Sequence, residues 1–193
     1  ANASKSKQAT SRKKELEKLE FVDIKPSMRK YPYVDFKPNR EVGNEILRVT
    51  NLTKNGLFEN ISFTVHKGDK IAFICENANV ITMLFKILMG EDSADGGMFE
   101  WGSTVTPSYL PENNDAFFKD CGLSLVDWIA QYSDEKDQTF LRSWLGRMLF
   151  SGEEAQKKAN CISGGERVRC MLAKAMLSGA NVLIFDEPTN HLD

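Results

Sequence analysis

The sequence predicts an α/β protein on three observations. Ile46–Thr50 and Ile61–His66 alternate apolar and polar residues with the period of half-buried antiparallel strands. Lys70–Cys75 (KIAFIC) is apolar beyond its first residue, the pattern of a strand covered on both faces, and a helical run, Ile81–Met89, follows it. Toward the end, a helix over Glu166–Leu177 leads into a buried strand, Asn181–Asp186 (NVLIFD). Asp186 and Glu187 stand at its carboxyl end, which is where open α/β sheets place ligands and chemistry.

The elements follow in order. Residues 2–20 lack Pro and Gly and are rich in Ala, Lys, Gln, Glu and Leu, which predicts a helix. Pro26, Pro32 and Pro38, interleaved with Tyr31, Tyr33 and Phe36, make Lys25–Arg40 an extended linker. Gly90 closes the Ile81–Met89 helix as a C-cap. Gly96-Gly97 turns into a strand at Met98–Trp101, and Val105–Tyr109 is a weaker one. Leu125, Trp128, Ile129 and Tyr132 repeat at helical spacing, as do Leu141, Trp144, Leu145, Met148 and Leu149. These aromatics read as packing residues of a helical subdomain, about 113–160, inserted into the α/β part.

Composition bounds the rest. The 193 residues carry a formal net charge of −2 with 41% hydrophobic content, enough to fold and too few for two large cores. No stretch approaches the roughly 20 apolar residues of a membrane helix, and no charged start leads into a signal-peptide core. A soluble, cytoplasmic protein without a membrane partner is expected. The four cysteines (Cys75, Cys121, Cys161, Cys170) are far apart, and only His66 and His191 could join them. They read as buried, reduced thiols and not as a zinc site or disulfide framework. Residues 1–40 hold eleven basic and five acidic side chains, a local net of +6, against −8 for the remainder. Such an arm suits nucleic acid, and a solvated helix face accounts for the same charges.

From Ala159 the chain reads ANCISGGERVRCMLAKAMLSGANVLIFDEPTNHLD. A serine and two glycines opening a helix expose backbone N–H groups and the positive dipole end to an anion. This stretch resembles the ATP-binding cassette (ABC) family. Ile162-Ser163-Gly164-Gly165-Glu166 matches its signature, and Val182–Glu187 matches its Walker B strand. The resemblance implies an ABC nucleotide-binding domain: a P-loop-like core with an antiparallel β subdomain and an inserted helical subdomain. It further implies that Ser163, Gly164, Gly165 and Glu166 contact the γ-phosphate of ATP held by an opposite cassette. Asp186 would hold Mg²⁺ through water, and Glu187 would polarise the attacking water.

The ending Pro188-Thr189-Asn190-His191-Leu192-Asp193 is similar to that of the F subfamily, whose tandem cassettes share one chain and act on ribosomes. Asp193 joins the nucleotide-binding set on this basis. Leu145–Lys158 resembles the subfamily's helical region, and residues 1–20 resemble the end of the linker between its cassettes. The expected organisation is a basic linker end and arm at 1–40 and a second cassette at 41–193. A start at Ala1 and a stop at Asp193, directly after a strand and its turn, suggest a piece of a longer chain, truncated at its C-terminus.

The phosphate loop departs from the family's pattern. In place of G-x-x-x-x-G-K-[ST] the chain reads Cys75-Glu76-Asn77-Ala78-Asn79-Val80-Ile81-Thr82. Cys75 and Val80 replace glycines and Ile81 replaces the lysine, removing charge-assisted contacts worth roughly 1.5–3 kcal/mol each. Asn77 is a common loop residue, and Thr82 reads either as a Mg²⁺ ligand or as a helix-start residue. The adenine-stacking aromatic is missing, since Phe58 reads as a core residue, and Pro111 or Glu112 stands where a glutamine is expected. The expected function is therefore an ATP-binding half that lends its signature to the first cassette of the same chain. Its own ATP and Mg²⁺ site is degenerate, and the basic arm meets ribosomal RNA. The alternatives are a fully active ATPase half, a transporter's nucleotide-binding subunit, or a structural ribosome-binding module.

Overall fold

The computed structural model describes residues 31–190. The helix expected at 2–20, the first part of the proline linker, His191 and Asp193 lie outside these residues. Strands β1 (Glu45–Lys54) and β2 (Phe58–His66) form the antiparallel hairpin that their alternation predicts, with Val49 opposite Phe63. β3 (Gly96–Trp101) pairs antiparallel with the other edge of β1, giving the order β2-β1-β3. Gly97 has φ +77° and passes so close to the Asn51 carbonyl that a Cβ there would collide with it, so only glycine fits.

Helix α1 (Ala78–Leu88) lays Leu84, Phe85, Ile87 and Leu88 on the buried face of this sheet, against Ile46, Leu47, Val49 and Leu52. It ends where expected, with Gly90 at φ +75° donating to the Ile87 carbonyl at 3.0 Å. β4 (Pro107–Leu110) and β5 (Val182–Phe185) make a separate two-stranded parallel sheet. Their residues Tyr109 and Ile184 join the first core.

Between these two strands run α2 (Asp115–Phe118), α3 (Leu125–Ala130), α4 (Gln138–Arg147) and α5 (Gly164–Leu177). They enclose a second core around Trp128, which stacks on Phe118 at 4.8 Å. Leu125, Ile129, Leu141, Leu145 and Met148 are fully buried there, as the stripes predict. The α4 stripe overran its helix. Met148 caps it, and Leu149 lies beyond at φ +67°. Residues 31–38 form neither helix nor strand and strap against this part of the fold. Tyr33 N–H donates to the Arg147 carbonyl at 2.8 Å, Asn39 N–H donates to the Gly179 carbonyl at 2.9 Å, and Phe36 packs on Phe185.

Two expectations are corrected. Lys70–Cys75 is not a strand. Ile74 is 94% exposed and Ile71 49%, and only Phe73 is well packed, between Phe63 and Phe85. A strand needs a ladder partner, but among the described residues β5 pairs only with β4. A largely apolar cavity of about 210 Å³, lined by Ile71, Phe73 and Val182–Phe185, lies between this segment and β5. The cysteines differ too: Cys170 is buried, with its thiol pushed up to about 12 by desolvation, but Cys75 and Cys161 are exposed.

Candidate functional site

The carboxyl end of β5 delivers Asp186 into the interior. Its backbone N–H continues the ladder to the Leu110 carbonyl at 3.0 Å, and its side chain is 3% exposed. A buried carboxylate must find donors. Two hydroxyls supply them, both to Oδ2: Thr82 Oγ1 from α1 at 2.7 Å and Tyr109 from β4 at 3.0 Å. Burial, then the Asp186 charge and their hydrogen bond, push the Tyr109 phenol far above its ordinary value, so it remains a protonated donor.

Thr82 and Asp186, separately singled out from the sequence, are thus in direct contact. Thr82 is the fifth residue of α1, so its hydroxyl serves the carboxylate and not the helix start. Tyr109 was missed. The available signal was a hydroxyl-bearing aromatic in the weak strand that reads Val105–Tyr109. Glu187 follows at φ +47°, exposed, on the rim of a cavity of about 280 Å³ lined with Ile71, Phe73, Ile81 and Phe85. The ion pairs of the described residues include neither Asp186 nor Glu187.

The loop Cys75–Thr82 is drawn into a helix start. Asn77 is the N-cap of α1, its side chain accepting from Asn79 N–H at 3.1 Å, while Val80 N–H donates to the Asn77 carbonyl at 3.0 Å. No residue of this segment has a positive φ. Val80 and Ile81 are partly buried against the first core. Asn77 therefore caps a helix, and Cys75 is exposed beside it.

The residues that match the signature, Ser163 to Glu166, form a different arrangement. Ser163 is the N-cap of α5, and Glu166 sits at N3 of a reciprocal capping box. Ser163 Oγ accepts from Glu166 N–H at 3.3 Å, and Glu166 Oε2 accepts from Ser163 N–H at 2.8 Å. Ser163 and Gly164 are exposed, and the 14-residue helix behind them puts its positive end at this point. Arg167, one turn along, bonds Asp115 at 2.6 Å and ties α5 to the segment after β4. A polar cavity of about 370 Å³ opens there between Glu112, Asp115, Gly164, Arg167 and Asn190. Glu112, one of the two residues standing where a glutamine is expected, thus shares a cavity with Gly164.

A protein-family model described as ABC transporter matches residues 58–190. The chain is 60% identical over 198 residues to the uncharacterized ABC transporter ATP-binding protein YkpA of Bacillus subtilis, covering all of this chain and 37% of that protein. It is 32% identical over 164 residues to the energy-dependent translational throttle protein EttA of Haemophilus influenzae, covering 81% of this chain and 29% of the relative. ABC transporter F family member 5 of Arabidopsis thaliana is 29% identical over 195 residues, 97% of this chain and 28% of that one. The chain spans about a third of the length of these relatives. Among solved structures, a bacterial Atm1-family ABC exporter with ATP bound aligns at TM-score 0.63 and 16% identity, over 83% of this chain and 33% of that one. A bacterial ABC transporter cassette solved as a dimer aligns at TM-score 0.62 and 16% identity, over 77% and 76%.

Proposed function

The chain belongs to the ABC transporter family and has the fold of its nucleotide-binding domain, and from that premise we propose that it is the second cassette of an F-type tandem ATPase acting on ribosomes. It lends Ser163, Gly164, Gly165 and Glu166 to the ATP of the first cassette of the same chain, while its own site for ATP and Mg²⁺ is weak. One contrast carries this reading. At Ser163 a helix N-terminus is exposed, with the dipole and the first-turn N–H groups of Gly164 and Gly165 to receive an anion. At Cys75–Thr82 the N–H groups of Asn79 and Val80 are spent on Asn77, and Ile81 packs as an apolar residue where a lysine belongs. Asp186 and Thr82 are oxygen donors suited to Mg²⁺, but without a phosphate cradle they have no nucleotide to hold it against.

The Asn-His-Leu-Asp ending, the likeness to EttA, a translational throttle protein by name, and the +6 charge of residues 1–40 support a ribosomal and cytoplasmic role. The organisation we favour is a linker end and arm at 1–40 and a cassette at 41–193. Among the described residues no helix is long and apolar enough to cross a membrane.

The test is steady-state phosphate release by the full-length tandem protein. Ser163→Arg places a long cation in the anion's position and Gly164→Asp a repelling charge. Both should abolish turnover, while Glu187→Gln leaves most of it. The Thr82–Asp186 contact favours a second reading, a fully active half. Loss of turnover in Glu187→Gln, with the signature variants near wild type, would establish that reading instead. Charge reversal of Lys5, Lys7, Arg12, Lys13 and Lys14 should release the protein from ribosomes in sedimentation, and unchanged co-sedimentation would remove the role assigned to the arm.

A further inference from the structure

We propose that Lys157 is a positioning residue for the signature: it neutralises Glu166 and holds it in the geometry that presents Ser163 to an anion. This rests on the signature reading above. Glu166 does two things at the start of α5. Its Oε2 fixes the Ser163 backbone, which is favourable, but its negative charge lies within the first turn of a helix whose end is to receive a phosphate, which is not. Lys157 resolves the conflict, since its ammonium donates to the other oxygen, Oε1, at 2.9 Å.

Its reach is prearranged. Lys157 N–H donates to the Glu154 carbonyl at 3.1 Å and its carbonyl accepts from Leu125 N–H at 3.0 Å, so its backbone is pinned between the 3-10 turn Gly152–Gln156 and α3. Glu154 stands further off, at 3.8 Å from the ammonium, so Glu166 is the principal partner. Arg169 of α5 repels the same ammonium, while its guanidinium lies over Phe150 at 4.9 Å. Without Lys157, Glu166 would add an uncompensated charge beside the incoming phosphate and be free to leave Ser163. Both effects weaken capture of ATP more than turnover of ATP already enclosed.

Two measurements test this. In the full-length tandem protein, Lys157→Met should raise the KM for ATP about fivefold with kcat within about twofold, Lys157→Arg should restore it, and Lys157→Met should add nothing in a Glu166→Gln background. In the 193-residue chain alone, Lys157→Met should speed hydrogen exchange at the Ser163 amide at least about threefold, an effect that general destabilisation would spread along α5. Unchanged KM and unchanged Ser163 exchange, with Ser163→Arg inactive, overturn the assignment of Lys157 alone. An active Ser163→Arg variant overturns the signature reading and this proposal with it.

Discussion

The Tyr109 hydroxyl donates to Asp186 Oδ2 at 3.0 Å, sharing that oxygen with Thr82 and joining β4, β5 and α1 at one buried carboxylate. Among the described residues the carboxylate is held by neutral donors, so each donor matters. Hydrogen bonds to charged groups contribute about 1.5–3 kcal/mol, and leaving a buried partner unsatisfied costs about as much. Tyr109→Phe should therefore lower the unfolding free energy in urea by about 1–3 kcal/mol. Combined with Asp186→Asn the loss should be less than additive, because the two substitutions break one contact. Full additivity would show that the contact is not the source of the effect.

The capped helix start at Cys75–Thr82 predicts a binding defect if it stands in for a phosphate loop, as proposed. Calorimetric titration of the chain with Mg-ATP should show no low-micromolar site. The combined change Cys75→Gly, Ala78→Gly, Val80→Gly and Ile81→Lys should raise affinity by allowing the backbone to take up a glycine-type cradle and by supplying a cation. Low-micromolar binding by the wild-type chain would contradict the structural contrast on which the functional reading stands.

The capping box predicts an acid limb. Burial pushes the Glu166 carboxyl up, but the Ser163 N–H, the Lys157 ammonium and the Ser163 hydroxyl outweigh it and hold it below its ordinary 4.5. A lowered carboxylate contributes stability that is fully present above its unfolded value and disappears as pH falls through the folded one. Thermal melts should show Glu166→Gln losing stability at pH 7 and the gap to wild type closing below about pH 4.5. A gap independent of pH would mean the charge is not involved.

The strap predicts a sensitive glycine. Gly179 sits at φ +57° directly under Asn39, whose side chain a Cβ would strike. Gly179→Ala combines left-handed strain, about 1–2 kcal/mol, with displacement of the strap. It should lower stability by at least that much and accelerate tryptic cleavage after Arg40. Unchanged cleavage would show that the strap is held by other contacts.

Local pattern made several elements legible. The alternation at Ile46–Thr50 and Ile61–His66, the Gly90 stop, and the Ser163-Gly164-Gly165 helix start each encode a conformation within a few residues, and the structure has them. KIAFIC misled because apolarity marks a segment for burial without naming the backbone that must lie beside it. The aromatic stripes found their cores but not their helix ends, which Leu149 at φ +67° decides.

By itself the sequence determined the alternation of strand and helix, the family resemblance, the open helix start at Ser163 and the placing of two carboxylates after a buried strand. All of these are set by neighbours along the chain. Only the tertiary structure decided which groups answer those carboxylates and charges. Thr82 meets Asp186 across 104 residues and Tyr109 meets it across 77, while Lys157 reaches Glu166 from the preceding turn. Such pairings depend on how the elements pack, because a buried charge takes whichever donor the packing brings within hydrogen-bond range, and no periodicity along the chain records that choice.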